Sequence, residues 1–261
     1  MTSKALLLVL LGVLYGCAAT PEMDDTAQTR VESNVWTLAP VRAGNAPDAQ
    51  TRWQHYLLPG KQATSFRFAR NDGRDAMAVQ ASASASMLRQ MVHIAPSELS
   101  QLKFSWKVPE LIAQADMAVR EMDDSPVRIV LAFDGDRSKF SAKNAMLSEL
   151  SHALTGEPMP YATLMYVWCN TRVAGSVITN PRTDRIRKLV VESGGENLNR
   201  WLDYERDVRA DFEKAFGEAP GNLVGVGIMT DTDNTQSDIR AWYGTLTLAK
   251  VQLPGATVVS R

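Results

Sequence analysis

Short runs in which every second residue is apolar recur along this chain, and they constrain its fold more than any other feature. Residues 65–69 (SFRFA), 102–108 (LKFSWKV) and 127–133 (VRIVLAF) carry the pattern. Successive side chains of a strand point to opposite faces, so each run predicts a strand with one buried face. Residues 162–169, 187–192, 223–230 and 241–248 add further runs rich in β-branched and aromatic residues. Asn71, Asp72 and Gly73 turn the first run into residues 77–87 (MAVQASASASM), a hairpin signature. In that stretch Met77, Val79, Ala81, Ala83, Ala85 and Met87 are expected on one face and the serines on the other. Side chains this small admit a second layer at close range, or leave floor space beneath a groove.

Two helices punctuate the strands. In residues 141–154, Met146, Leu150 and Leu154 fall at helical spacing and are expected to pack on the sandwich edge, with Gly156 as the stop and Pro158 beyond. Asp207 is the expected N-cap of a second helix, with Val208, Phe212, Ala215 and Phe216 on its inner side and Gly217 as its stop. Residues 111–122 read equally well as a helical turn or as extended chain. Strands do not alternate with helices, which argues against a parallel α/β sheet. The predicted fold is all-β: a two-sheet, jelly-roll-like β-sandwich with two short peripheral helices. At 261 residues and 45% apolar content the chain can bury one sizeable core.

The N-terminus carries an export signal. After Lys4 comes an apolar run, residues 5–14, of signal-peptide length and too short to span a bilayer. It ends in Leu14, Tyr15, Gly16 and Cys17, which resembles the lipobox of bacterial lipoproteins, with Tyr15 departing from the usual small residue. That resemblance implies a signal peptide over residues 1–16 and lipidation of Cys17; Ala18 implies an outer-membrane lipoprotein facing the periplasm. Residues 17–50 are polar, broken by prolines and without periodicity, and are expected to be a lipid-anchored flexible tether to a single domain over residues 51–255. With Cys17 lipidated, Cys169 is the one thiol left, and its apolar setting (YATLMYVWC) predicts a buried, inert residue.

Charge and motif content exclude several function classes. Twenty-eight basic against 29 acidic residues give a net charge of −1, with no long-range field to collect nucleic acid. Arg182, Arg185, Arg187 and Lys188 are expected as a solvated strand face. His55, His93 and His152 are too far apart in sequence for a zinc motif, and there is no GxSxG elbow and no P-loop. Gly225 and Gly227 lack a third glycine and are expected to permit close sheet packing.

Residues 223–248 (LVGVGIMTDTDNTQSDIRAWYGTLTL) read as strand, acid-rich loop, strand. Asp231, Asp233, Thr235 and Asp238 form a candidate calcium site, since hard oxygen ligands closely spaced on a loop suit that ion. The EF-hand glycine and glutamate are missing, and the competing reading is that these side chains cap their own turn. Asp231, Asp233, Asn234, Trp242 and Tyr243 are the candidate ligand-binding residues, with an aromatic ring against a sugar face and amides or carboxylates on its hydroxyls. Trp106 and Trp168, inside alternating runs, are expected in the core.

DDSPVRIVLAFD (residues 123–134), YVW (166–168), VVESGG (190–195), GIMTDTDNT (227–235) and AWYG (241–244) together resemble the bacterial family DUF3047 over about residues 50–250. The resemblance implies one β-sandwich domain and transfers no catalytic residue. Three functions remain open. The leading one is binding of a glycan or cell-surface polymer. A carboxylate-dependent glycoside hydrolase or lyase, pairing Asp231 with Asp233, Asp134 or Glu192, is the second. The third is a protein-binding module of an envelope assembly.

Overall fold

The computed structural model describes residues 31–36 and 53–251. The described chain runs β1 (Val31–Trp36), β2 (Gln54–Leu57), β3 (Ser65–Asn71), β4 (Arg74–Ser82), β5 (Ala85–Ile94), β6 (Gln101–Lys107) and β7 (Ser125–Phe133). Then follow α1 (Ala142–Thr155), β8 (Ala162–Cys169), β9 (Val177–Thr179), β10 (Ile186–Ser193), β11 (Trp201–Asp207) and α2 (Val208–Phe216). Last come β12 (Leu223–Asp231), β13 (Asp238–Tyr243) and β14 (Leu246–Val251). Fourteen described strands build two sheets, and the two helices lie outside them. The fold is the expected all-β sandwich.

The first sheet runs β1-β14-β6-β13-β4-β3, with β11 on the other edge of β6; the second runs β2-β5-β12-β7-β8-β10-β9. All ladders are antiparallel except β8 with β10. Aromatic and aliphatic side chains fill the space between the layers, as alternation requires. Leu102, Phe104 and Trp106 of β6 face Ile129, Leu131, Tyr166 and Trp168 of β7 and β8, all fully or almost fully buried. Phe104 stacks on Tyr166 at 5.6 Å between ring centroids, and Trp106 meets Trp168 at 6.5 Å. Cys169 is buried on the outer side of β8.

Three departures from the sequence reading have local causes. Residues 77–87 are not one strand: Ala83 takes a positive φ of 45°, the chain turns there, and β4 and β5 enter different sheets. Met77, Val79 and Ala81 therefore face the core, while Ala85 and Met87 lie on the outer side of the second sheet. Residues 241–248 also split. A Cβ on Gly244 would sit 2.1 Å from Ser105 Oγ, and the break beside it lets β13 and β14 pair with successive parts of β6. Finally, Lys188 is fully buried and Arg185 binds the Tyr161 carbonyl and Glu218, so this basic run is not a solvated face.

Register defines two ends of the sandwich. Leu223 pairs with both Ile94 and Phe133, and Phe133 with Ala162. At this end also lie the start of β6 against the end of β11, α2, and the start of β1 against the end of β14. The opposite end carries the acid loop, where Asp231 pairs with Ala85 and Asp238 with Ser82. Cys17 and most of the expected tether lie outside the described residues, but Val31–Trp36 is a strand paired with β14, where a tether running into loop was expected.

Candidate functional site

At the acid-loop end the DDSP and TDTDNT motifs meet. Asp124, just before β7, is fully buried and accepts hydrogen bonds from Asn234 N (3.2 Å), Thr235 N (2.7 Å) and Thr235 Oγ1 (2.6 Å). A carboxylate from a distant segment thus satisfies the backbone donors of the loop, the service that short-range Asx turns give elsewhere. Asp231 ends β12 and is buried, its Oδ1 accepting from Arg128 Nε (2.9 Å) and Ser125 N (3.1 Å). Asp233 pairs with Lys61. Behind them Arg128 also donates to the Asp123 carboxylate (3.1 Å) and carbonyl (2.9 Å), and buried Lys188 donates to Asp123 and to the Met117 carbonyl.

Electrostatics in this cluster follow from burial. Loss of solvent pushes the Asp231 carboxyl up to about 7; Arg128 opposes the shift, and the Asp124 and Asp123 carboxylates reinforce it. Burial alone would lower the Arg128 guanidinium, but Asp231 and Asp123 outweigh it and hold the cation above its usual range. Lys188 falls to about 8, chiefly through burial and the Arg128 charge beside it.

The carboxylate oxygens of Asp124, Asp231 and Asp233 lie within 4.8 Å of one another. Their donor chemistry does not fit calcium, which takes six to eight oxygen ligands. Asp124 is filled by three loop donors, and Asp231 and Asp233 each already face a cation. Of the expected calcium ligands, Thr235 reaches the cluster only by donating to Asp124, and Asp238 stands exposed at the start of β13. Asp124 was missed in the sequence because its partners lie 110 residues away. The cluster is built to lock a loop.

The other candidates separate. Tyr243 is wholly buried; its hydroxyl donates to the Met229 carbonyl (2.6 Å), meets Thr230 Oγ1 (2.9 Å) and accepts from Arg128 N (3.1 Å), so it faces the core and not a ligand. Asn234 donates to the Arg120 carbonyl. Trp242 lies four residues along β13 from Asp238, about 13 Å at strand rise, on the outward face of the first sheet. Asp134 is occupied by Asn222 N and Nδ2, and Glu192 by the Tyr204 hydroxyl, so neither pairs with Asp231.

That outward face has its own order. Register places Trp201 of β11 opposite Lys107, Lys107 opposite Trp242, Trp242 opposite Ala78, and Ala78 opposite Arg67. These residues form one row across five strands, and both tryptophans are half-buried. Small Ala76 and Ala78 leave open floor beside Trp242, on the face opposite the Met77, Val79 and Ala81 positions from which floor space was expected. The rings are held by charge: Lys107 Nζ lies 5.7 Å from the Trp242 centroid and pairs with Asp72. Likewise the Arg74 guanidinium lies 5.4 Å from the Trp201 centroid and grips Asp203 through two bonds of 2.6 and 3.1 Å. Next to Trp201, at the gap between β13 and β14, is a depression of about 650 Å³ whose lining includes Arg74, Asp75, Lys103, Ser105, Asp203 and Glu205. Trp201 was legible only as one of six tryptophans, because its strand was not recognised.

No curated protein matches the sequence. Among solved structures, the chain is similar to a family 11 carbohydrate-binding module of a cellulosomal cellulase from Clostridium thermocellum. That match has 10% identity and a TM-score of 0.41, covering 87% of this chain and 99% of the module. It is similar also to the xyloglucanase domain of a type three effector from Sinorhizobium fredii, at 10% identity and TM-score 0.40, covering 76% and 92%. A low-affinity xylan-binding module from Roseburia intestinalis matches at 9% identity and TM-score 0.29, covering 76% and 96%. Over residues 51–247, which take in every strand from β2 to β13 and all five quoted motifs, the sequence fits one family profile, and the chain belongs to DUF3047, a protein family of unknown function.

Proposed function

We propose that this is an exported, lipid-anchored envelope protein whose outward sheet face binds a glycan or cell-surface polymer. The row Trp201, Lys107, Trp242, Ala78 carries the reading. Two half-buried indoles on neighbouring strands of β6 lie about 9–10 Å apart at strand spacing, each held by a cation that is itself paired. Such rings offer flat apolar surface with little entropy left to lose, while Arg74, Asp203, Ser105 and Asp75 supply hydrogen-bond partners for hydroxyls. The anchor is supported by the apolar run of residues 5–14 and by Cys17 after Gly16. Binding without turnover is favoured because Asp134 and Glu192 are engaged elsewhere, and Asp231 and Asp233, though close together, each already face a cation. The test is retention of the purified protein on a panel of envelope and plant-type polysaccharides, with the ligand recovered and sized afterwards. Retention with ligand of unchanged length supports the reading; shortened ligand favours the hydrolase, and failure to bind any member counts against a glycan ligand.

A further inference from the structure

Helix α1 is packed with its polar side inward. Its buried residues are Asn144 and Ser148, and Asn144 is fixed by bonds to Asp184 (2.7 Å) and from Thr183 (2.8 Å). Just past the helix, Glu157 accepts both arms of Arg89, and its carbonyl accepts from Ser151 and Thr155. The stripe expected to pack on the sandwich therefore points to solvent: Met146 is 63% exposed, Leu150 52% and Leu154 60%. An apolar i, i+4, i+8 row held outward by satisfied polar contacts has a use other than folding.

We infer that α1 seats this stripe on a phospholipid surface. Area argues against a second copy of the chain. Three such side chains offer on the order of 200 Å² of apolar surface, against roughly 800 Å² per partner in a stable protein interface. For an interfacial helix that surface is enough when a second signal holds the protein at the membrane. Charge is mixed but net positive: Lys143 lies on the same face one turn before Met146 and Arg137 and Lys139 are exposed just upstream, against exposed Glu149 on the stripe's side and Asp136 beside Arg137. Topology agrees as well. Helix α1 connects the end of β7 to the start of β8, at the same end of the sandwich where β1 begins. The fourteen residues from Cys17 to Val31 reach at most about 50 Å and join the folded part at this end, which makes it the end nearest the anchor along the chain. At 14 residues, about 21 Å, α1 lies along a membrane and is too short to cross it.

The inference rests on the proposed lipid anchor, and its test separates the two. Leu150→Cys carries an environment-sensitive fluorophore in the lipidated chain, reconstituted in phosphatidylethanolamine–phosphatidylglycerol vesicles; a Gln236→Cys probe at the opposite end is the control. The expected result is a blue-shifted Leu150 probe and an unshifted Gln236 probe. An unshifted Leu150 probe on acylated, vesicle-bound protein overturns the inference, whereas a mass spectrum showing Cys17 unacylated counts against the anchor. A Leu150 probe that shifts with protein concentration and no lipid assigns the stripe to a second copy and overturns the inference too.

Discussion

Replacing Arg128 by Met tests whether the buried charge cluster stabilises the acid-loop end. Methionine keeps the apolar stem and ends near the position of Nε, but Asp231 and Asp123 lose the cation that lies 2.9 and 3.1 Å from them. Removing one partner of a buried ion pair typically costs about 3–5 kcal/mol, because the remaining charge is stranded. The sign of the pH dependence follows from Asp231. Its folded pKa is raised to about 7 while the unfolded chain titrates near 4, so the folded state holds a proton that the unfolded state has released. Stability from this group is present at low pH and is lost as pH rises from about 4 through 7. Without Arg128 the carboxyl rises further, which deepens the loss above pH 7. Urea unfolding of Arg128→Met should thus show a deficit of about 3–5 kcal/mol at pH 8. At pH 5, with Asp231 neutral in both proteins, it should shrink to about 1–3 kcal/mol. Adding Asp231→Leu should recover part of the pH 8 loss. Equal deficits at the two pH values, or one below about 1 kcal/mol at pH 8, would refute the reasoning.

Other substitutions probe single contacts. A Cβ at Gly221 would lie 2.1 Å from the Asp134 carbonyl oxygen, so Gly221→Ala should lower stability by about 3 kcal/mol in thermal unfolding. Gly225→Ala, whose nearest neighbour is 3.5 Å away, should change it by under about 1 kcal/mol. Asp124→Ala leaves the Asn234 and Thr235 donors without their acceptor; hydrogen exchange of residues 232–237 should accelerate, with a loss of about 3 kcal/mol. Saturating calcium followed by chelator should not move the unfolding midpoint. A gain near the roughly 2.7 kcal/mol expected of an ion at a hundred times its dissociation constant would show that Lys61 yields its place.

Period-two alternation made the sandwich legible, because it reports directly which side of a strand is dry. The turn at Asn71–Gly73 and the Asp207-capped helix were equally plain, since each depends on neighbours in sequence. What depended on distant partners was not. Ala83 breaks an alternation that continues unbroken on paper, and only the two sheets show that the inner face changes there. The helical stripe of α1 carries no mark that says which side is inward; Asn144 decides it through Thr183 and Asp184. Trp201 opens a run, WLDYERD, whose alternation is hidden by acids on one face and by Arg206, which pairs with Asp211, on the other. For the candidate site, Trp242 was in view, and its partner ring became visible only through the register of β6.

The most direct test of the proposed binding face compares three variants against one retained polysaccharide by calorimetric titration. Trp242→Ala and Trp201→Ala should each raise Kd by about 30-fold, the roughly 2 kcal/mol of a buried aromatic anchor, while Asp233→Asn at the acid loop should leave it within about twofold. Loss of binding with Asp233→Asn and full binding with both tryptophan variants would place the ligand on the loop and contradict the account.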